Sequence, residues 1–127
     1  MTRPRTGPAP DVDHRATGTA TIAGAWLDEE MAVTVLLELK FKPDSVVAAR
    51  EVFGKALQAT RNFEGNLVTD VIVDETDEAH WIIYERWESV EHDEAYRAYR
   101  AGEGKIVDLP PLLAAPPVKT RYLDTDV

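Results

Sequence analysis

The sequence contains no cysteine. This absence excludes disulfide bonds, thiolate nucleophiles and cysteine-based metal sites. The sequence also lacks any apolar run near the roughly 20 residues that a membrane-spanning helix needs. Its first stretch, MTRPRTGPAPDVDHR, has none of the apolar content of a secretory signal. We therefore expect a cytoplasmic protein that does not enter a membrane.

Positive charge is also scarce. The chain has 14 Lys and Arg residues against 23 Asp and Glu residues, a formal net charge of -9 at pH 7. Such a surface repels the phosphates of nucleic acids unless basic residues cluster locally, and the sequence has no such cluster. The three histidines lack metal-ligand spacing, and neither a phosphate-binding glycine loop nor a serine-hydrolase motif occurs. We expect no metal and no nucleic-acid partner.

With 127 residues, 44% of them hydrophobic, the chain is typical of one globular domain. Residues 1–30 begin with a proline-rich stretch and continue with small residues, which predicts a flexible N-terminal arm. An alternative is that Trp26 docks this arm on the domain or on a second subunit. Residues 31–127 are predicted to form the folded domain.

Local patterns predict the first half of this domain. MAVTVLLELKF is a β-branched and aliphatic run, typical of a strand buried on both faces. Pro43, Asp44 and Ser45 favour the start of a helix, and apolar residues at three- and four-residue spacing continue it over about 44–61. NLVTDVIVDE then predicts a second strand.

Local patterns also predict the elements of the second half of the domain. HWIIYERW predicts a third strand that forms a hairpin with the second one. Ser89 is a candidate cap for a second helix that runs to about Ala101. A short LPPLLAA segment has some helical character, and VKTRYLD alternates as a fourth strand.

This order, βαββαβ, predicts an α+β fold of the ferredoxin-like type, in which two helices cover one face of an antiparallel sheet. The first strand and HWIIYERW are apolar on both sides, so the second face of the sheet also needs a cover. A second copy of the sheet is the simplest cover. We therefore expect a homodimer.

Three stretches resemble the antibiotic biosynthesis monooxygenase family: VTVLLELKFKPD, FEGNLVTDVIVDETDEAHWIIYERWESVEHDEAY and PLLAAPPVKTRYLD. Together they span about residues 32–124, and the most telling feature is a hairpin followed by ERWES and a helix. The family consists of dimeric α+β barrel proteins and includes quinol and anthrone oxygenases. The resemblance implies a pocket between the sheet and the helices of each subunit. It also implies oxidation of an aromatic polyketide, anthrone or quinol-like substrate to a quinone by dioxygen, with no metal or prosthetic group.

Two tryptophans on the third predicted strand are candidate site residues. Trp81 and Trp87 are six residues apart, so on a regular strand they share a face with Ile83 and Glu85. Trp81 matches a tryptophan of the family's anthrone oxygenases, and Trp87 stands where those enzymes have a tyrosine. We predict that the Trp81 N–H acts on a substrate oxygen and that Trp87 contacts the substrate. The alternative is that both fill the core or an interface.

The second predicted helix supplies the other candidates. His92, in its first turn, is predicted to exchange protons with the substrate, although an exposed surface histidine is the alternative. Tyr96 and Tyr99 follow at helical spacing and are predicted to bind substrate, with core packing as the alternative. The resemblance implies an arginine late in this helix that stabilises a phenolate. Arg100 is our prediction for this catalytic role, and Arg97 competes for the match.

Arg86 is a further candidate for substrate binding, although an ion pair between strands, with Glu38 for example, explains it equally well. Haem-degrading relatives use an Asn on the first strand and a Trp and a His on the second helix. In this sequence the Asn position holds Glu38 or Leu39, the Trp position holds Tyr96 and the His position holds Ile106. The resemblance therefore argues against a haem-degrading function.

Three other functions stay open. The chain could be an oxygenase assisted by reduced flavin, a non-oxidative cyclase or isomerase on the same fold, or a ligand-binding module without chemistry.

Overall fold

A computed structural model of the protein describes residues 31–127, which contain four strands and two helices. The strands are β1 (Val33–Lys40), β2 (Asn66–Asp74), β3 (Asp77–Trp87) and β4 (Val118–Leu123). The helices are α1 (Val46–Arg61) and α2 (Val90–Ala101), and short 3-10 turns form at Pro43–Ser45 and Pro110–Leu112. The predicted arm, with Trp26, lies outside the described residues.

The predicted βαββαβ order is confirmed, and local sequence explains where most elements begin and end. The Ser89 side chain accepts a hydrogen bond from the His92 backbone N–H, which caps α2 as predicted. Gly102 follows the last residue of α2. Between β2 and β3 the chain turns tightly, where the Asp74 side chain accepts from the Thr76 N–H.

The strands form one antiparallel sheet in the order β2-β3-β1-β4, which is the ferredoxin-like arrangement. In the centre of the sheet, Leu37 pairs with Ile83 and Val35 pairs with Glu85. Because paired residues point to the same side of a sheet, this register divides the strands into an inner face and an outer face.

The inner face carries the hydrophobic core in two clusters. One surrounds Trp81, which packs edge-on against Phe41 and lies close to Phe53 of α1. The other surrounds Trp87, which lies against Tyr96 of α2. The prediction that Trp81 and Trp87 share a face with Ile83 and Glu85 is therefore confirmed, since all four are buried on the same side.

The outer face is less well covered, and in this respect the prediction for β1 needs correction. Inner-face residues such as Val33 and Val35 are fully buried, whereas Thr34 and Leu36 of the outer face are only half-buried. Two further residues of this face, Ile72 and Val118, are exposed. Burial of β1 on both faces therefore does not occur within residues 31–127.

In this part of the chain, neither helix is long and apolar enough to cross a membrane.

Candidate active site

A cavity of about 520 Å³ lies between the inner face of the sheet and the two helices. Its walls come from four parts of the fold: β1 and β3, α1, α2, and the segment that leads from α2 to β4. The lining residues are Leu37, Phe53, Leu57, Ile83, Glu85, Tyr96, Arg97, Arg100, Lys105, Ile106, Leu109, Pro110, Leu113 and Pro117. The cavity is large enough for a small aromatic molecule, and its lining is mostly apolar.

The cavity touches both core clusters. Phe53 and Ile83 belong to the cluster around Trp81, while Tyr96 belongs to the cluster around Trp87. On β3, the cavity wall is formed by Ile83 and Glu85, the two inner-face residues between the tryptophans. The tryptophans themselves support this wall from either side.

Glu85 and Arg97 form an ion pair in the cavity wall, in which the carboxylate is buried and the guanidinium is partly exposed. Glu85 is only 1% exposed, although it carries a carboxylate. Its Oε1 atom accepts hydrogen bonds from the Arg97 guanidinium and from Trp87 Nε1, the latter at 3.0 Å. A buried charge needs such partners, because removing it from water is costly. Trp87 and Arg97 therefore fix the position of the carboxylate.

Behind this pair lies a second buried carboxylate, Asp93, which is fully buried. It accepts from Arg97 Nε at 2.9 Å and from Lys119 Nζ and Arg121 NH1, both at 3.0 Å. Burial by itself would raise the pKa of Asp93, but hydrogen bonds and charge from Arg97, with further bonds from Lys119 and Arg121, outweigh it and lower that pKa. Asp93 is thus ionised at neutral pH and holds Arg97 in place.

On the α2 side of the cavity, Tyr96 and Arg100 belong to a second hydrogen-bond network. Arg100 Nε donates to the Tyr96 hydroxyl at 2.7 Å, and that hydroxyl lies 2.6 Å from Thr60 Oγ1. Arg100 also donates to Thr60 Oγ1 and to the carbonyl oxygens of Ala56 and Gly104. Most of its donors are therefore already used, and they join α2 to α1.

The structure brings two of the predicted site residues, Tyr96 and Arg100, to the cavity. Arg97, the competing candidate for the Arg100 role, lies there as well. Trp81 and Trp87 are buried but do not line the cavity. The Trp81 indole N–H donates to the Glu78 carbonyl oxygen at 2.9 Å, so this donor is already in use.

Three other predicted residues lie away from the cavity lining. His92 Nδ1 is 2.8 Å from Ser89 Oγ, at the start of α2. Tyr99 packs its ring near Phe63. Arg86 is on the outer face, where it pairs with Asp124 and not with Glu38. The catalytic and substrate-binding roles assigned to these side chains stay predictions.

Glu85 is not among the site residues predicted from the sequence, although one feature of the sequence pointed to it. Alternation placed this acidic residue on the same face as two tryptophans, and a charged residue on an apolar face is unusual without a partner.

Within residues 31–127, no group of three or more histidine and acidic side chains has an arrangement suited to a metal ion.

The geometry defines a class of protein: a small ferredoxin-like α+β domain with a mostly apolar cavity whose lining includes charged side chains. The sequence pattern of the antibiotic biosynthesis monooxygenase family matches residues 32–104. The chain belongs to this family. No curated protein matches the sequence of the chain.

Solved structures share the fold. A protein from Mycobacterium tuberculosis is 20% identical, with a TM-score of 0.63, and the match covers 76% of this chain and 97% of that one. A crystal structure of an antibiotic biosynthesis monooxygenase is 21% identical, with a TM-score of 0.59 and coverage of 75% and 98%. A conserved protein from Methanosarcina mazei is 14% identical, with a TM-score of 0.67 and coverage of 76% and 96%. At these identities the likeness concerns the fold alone.

Proposed function

We propose that the protein is a monooxygenase that oxidises a flat aromatic substrate, an anthrone or quinol-like polyketide, to a quinone with dioxygen. We further propose that it needs neither a metal nor a prosthetic group. One observation carries this proposal: within a family of monooxygenases, this chain has an apolar cavity with an ion pair in its wall. Such a cavity suits an aromatic substrate, and its fixed charges suit one that must lose a proton.

For an anthrone, the reaction converts a ring CH₂ group and O₂ into a ring C=O group and one H₂O. The protein's task is to favour the deprotonated substrate, because an electron-rich phenolate or enolate can pass an electron to dioxygen. Fixed positive groups in a site that excludes water stabilise such an anion. Arg97 and Arg100 are the fixed cations of this cavity, and Lys105 is a third positive residue in its lining.

We also propose that the working unit is a homodimer in which two sheets meet through their outer faces. The apolar outer-face residues of the sheet support this assembly, and they come from all four strands: Leu36, Val68, Ile72, Ile82, Tyr84, Val118 and Tyr122. Several of them are half-buried or exposed in the single chain. A sheet face with apolar side chains on every strand is usually covered by another layer.

Oxygen uptake tests the proposed reaction. Metal-stripped protein is mixed with a panel of anthrones and naphthoquinols, and uptake is compared with autoxidation without protein. A Leu109→Trp variant adds bulk to the lining of the cavity, and a Val107→Trp variant adds the same bulk two residues away, at an exposed position outside the lining. We expect uptake well above autoxidation in the wild type and in Val107→Trp, with most of it lost in Leu109→Trp.

The same experiment is repeated with reduced flavin. Uptake that needs flavin would replace the cofactor-free mechanism with a flavin-assisted one. No uptake from folded protein under either condition would refute oxygenation of these substrates and favour a non-oxidative enzyme or a ligand-binding module.

A further inference from the structure

The Glu85–Arg97 pair has an acceptor oxygen and a donor nitrogen left over. Glu85 uses Oε1 for both of its hydrogen bonds, and within residues 31–127 no group donates to its Oε2 atom. Arg97 uses Nε for Asp93 and NH2 for Glu85, and in the same part of the chain its NH1 group donates to nothing. Both side chains line the cavity. A buried side-chain polar atom normally has at least one hydrogen-bond partner, so the unpartnered Oε2 atom points to a ligand.

We propose that Glu85 is the base that removes a proton from the substrate, and that the substrate class is aromatic molecules with an acidic O–H group, a phenol or an enol. This inference rests on the proposed function, since it assigns the proton transfer that precedes the reaction with dioxygen. A phenolic or enolic O–H donates to Glu85 Oε2, and the same substrate oxygen accepts from Arg97 NH1.

In the proposed step, the substrate O–H bond breaks and a bond forms between that hydrogen and Glu85 Oε2. The O–H electron pair stays on the substrate oxygen, which becomes an anion, while Glu85 becomes a neutral acid. The number of buried negative charges does not change, because the charge moves from the carboxylate to the substrate beside the same Arg97. A transfer that leaves the buried charge constant avoids the cost of creating a new unpaired ion in the cavity.

The surrounding contacts prepare Glu85 and Arg97 for this step. Trp87 Nε1 donates to Oε1 and so orients the carboxylate, leaving Oε2 for the substrate. Asp93 holds Arg97 through Nε, and because Asp93 also has Lys119 and Arg121 as partners it stays ionised throughout. Arg97 is therefore fixed on one side by an anion that does not titrate near neutral pH. On its other side, the guanidinium can donate to whichever oxygen carries the negative charge, that of Glu85 before the proton transfer or that of the substrate after it.

The test is an anaerobic titration, in which no oxidation occurs. The probe is 1,8-dihydroxyanthrone, whose neutral and anionic forms absorb at different wavelengths. Its bound acid–base equilibrium is measured in the wild type, in Glu85→Gln and in Glu78→Gln, an exposed glutamate on the same strand. We expect wild type and Glu78→Gln to shift the equilibrium toward the anion by at least about tenfold, one pKa unit. Glu85→Gln should bind the probe in its neutral form.

In air, the rate of oxygen uptake should fall by about a hundredfold or more in Glu85→Gln, the usual contribution of a positioned base. The lost rate should return as the pH rises, because hydroxide then replaces the carboxylate, whereas the wild-type rate should depend less on pH. Equal ionisation of the probe in wild type and Glu85→Gln would overturn the assignment. So would failure of the wild type to bind any phenolic probe.

A measurement on the wild type alone guards against misfolding of the variant. Anaerobic infrared difference spectra should show a protonated carboxylic acid when the probe binds, and its band should move when glutamate carries ¹³C. Absence of this band with the anion bound would overturn the proposal. Ionisation of the probe without oxygen uptake, by contrast, would refute the proposed function and leave Glu85 as the base.

Discussion

Gly65, in the turn between α1 and β2, shows how one residue determines the local path of the chain. Its φ angle is +88°, in the left-handed region that favours glycine. A Cβ atom at this position would lie 2.2 Å from Cγ of His92, which is closer than atoms can pack. The Gly65 carbonyl also accepts from the Glu88 N–H, which ties the turn to the start of α2.

Gly65→Ala should therefore lower the free energy of unfolding by more than about 1 kcal/mol, through backbone strain and the clash with His92. The matched control is Gly54→Ala, in the middle of α1, where a Cβ atom would meet nothing within 4 Å. This second change should raise stability by about 0.5–1 kcal/mol, because alanine favours a helix more than glycine does. Urea unfolding measures both. Equal stabilities of the two variants would contradict this account.

His80, on the outer face, is held between two carboxylates. Its Nδ1 atom is 2.9 Å from Asp74 Oδ2 and its Nε2 atom is 2.6 Å from Glu38 Oε2. These bonds, with Asp74 the larger contributor, raise the pKa of His80 above 6.5. The bond to His80 in turn is the largest cause that lowers the pKa of Asp74 to about 2. At pH 6.5 the protonated histidine is therefore the favoured form in the folded chain.

A raised pKa has a defined consequence for stability. The contribution of His80 should be complete below the unfolded-state pKa of about 6.5 and should disappear as pH rises through the higher folded-state pKa. Urea unfolding of wild type and His80→Gln across this interval measures it. The difference between the two proteins should be largest on the acid side of 6.5 and should shrink toward alkaline pH. A difference that grows with pH would show that the neutral imidazole is the stabilising form.

Part of this residue-level detail could be predicted from the sequence. Alternation along β3 correctly placed Trp81, Glu85 and Trp87 on one face. It did not identify the partners of those side chains, since the Trp81 N–H bonds to a backbone carbonyl three residues back and Glu85 meets Arg97 twelve residues later, on another element. Such pairings depend on how a helix packs on a sheet, which periodicity alone does not determine.

At the scale of elements, α2 is joined to the sheet by charge as well as by packing. Asp93 in its first turn binds Lys119 and Arg121 of β4, a strand whose residues are all exposed. The same carboxylate holds Arg97, which reaches Glu85 of β3. One buried carboxylate thus connects a helix, an edge strand and the wall of the cavity.

Asp93→Asn should lower the free energy of unfolding by about 2–3 kcal/mol at neutral pH, because three cations lose a charged acceptor. The pKa of Asp93 is lowered in the folded chain, so its contribution should be complete above the unfolded-state value of about 3.9 and should be lost as pH falls through the folded-state pKa. Urea unfolding across that interval tests this. Glu94→Gln is the control, since Glu94 is exposed and lies 3.6 Å from Arg121, and it should change stability by less than about 0.5 kcal/mol.

The strands and helices themselves were predictable, because each carries its own local signals: alternation in β2 and β3, Pro43 before α1, and Ser89 before α2. For the segment between α2 and β4, the helical character of LPPLLAA is confirmed by the 3-10 turn at Pro110–Leu112, but its place in the cavity wall was not predictable. This segment has no clear period, yet it supplies six residues of the cavity wall. Its position depends on contacts with the distant end of β1, where the Lys42 N–H donates to Leu112 and the Ala114 N–H donates to Lys40.

At the scale of the whole molecule, the two faces of the sheet differ in what they contact. The inner face and the helices line the cavity. The outer face carries apolar side chains on every strand, together with the His80 and Arg86 ion pairs. If a second copy covers this face, as proposed, each subunit keeps a cavity on the far side of its own sheet.

Ile72→Glu tests this assembly, because Ile72 lies on the outer face and is 53% exposed in the single chain. The charge would cost a monomer little, but in the proposed dimer it would be buried without a partner, so the dimer should dissociate at least about tenfold more readily. Val47→Glu makes the same change in charge at a position of α1 that is 75% exposed, and it should leave the dimer intact. Sedimentation equilibrium distinguishes these outcomes. A monomeric wild type, or a dimer that both substitutions leave unchanged, would rule out pairing through the outer face.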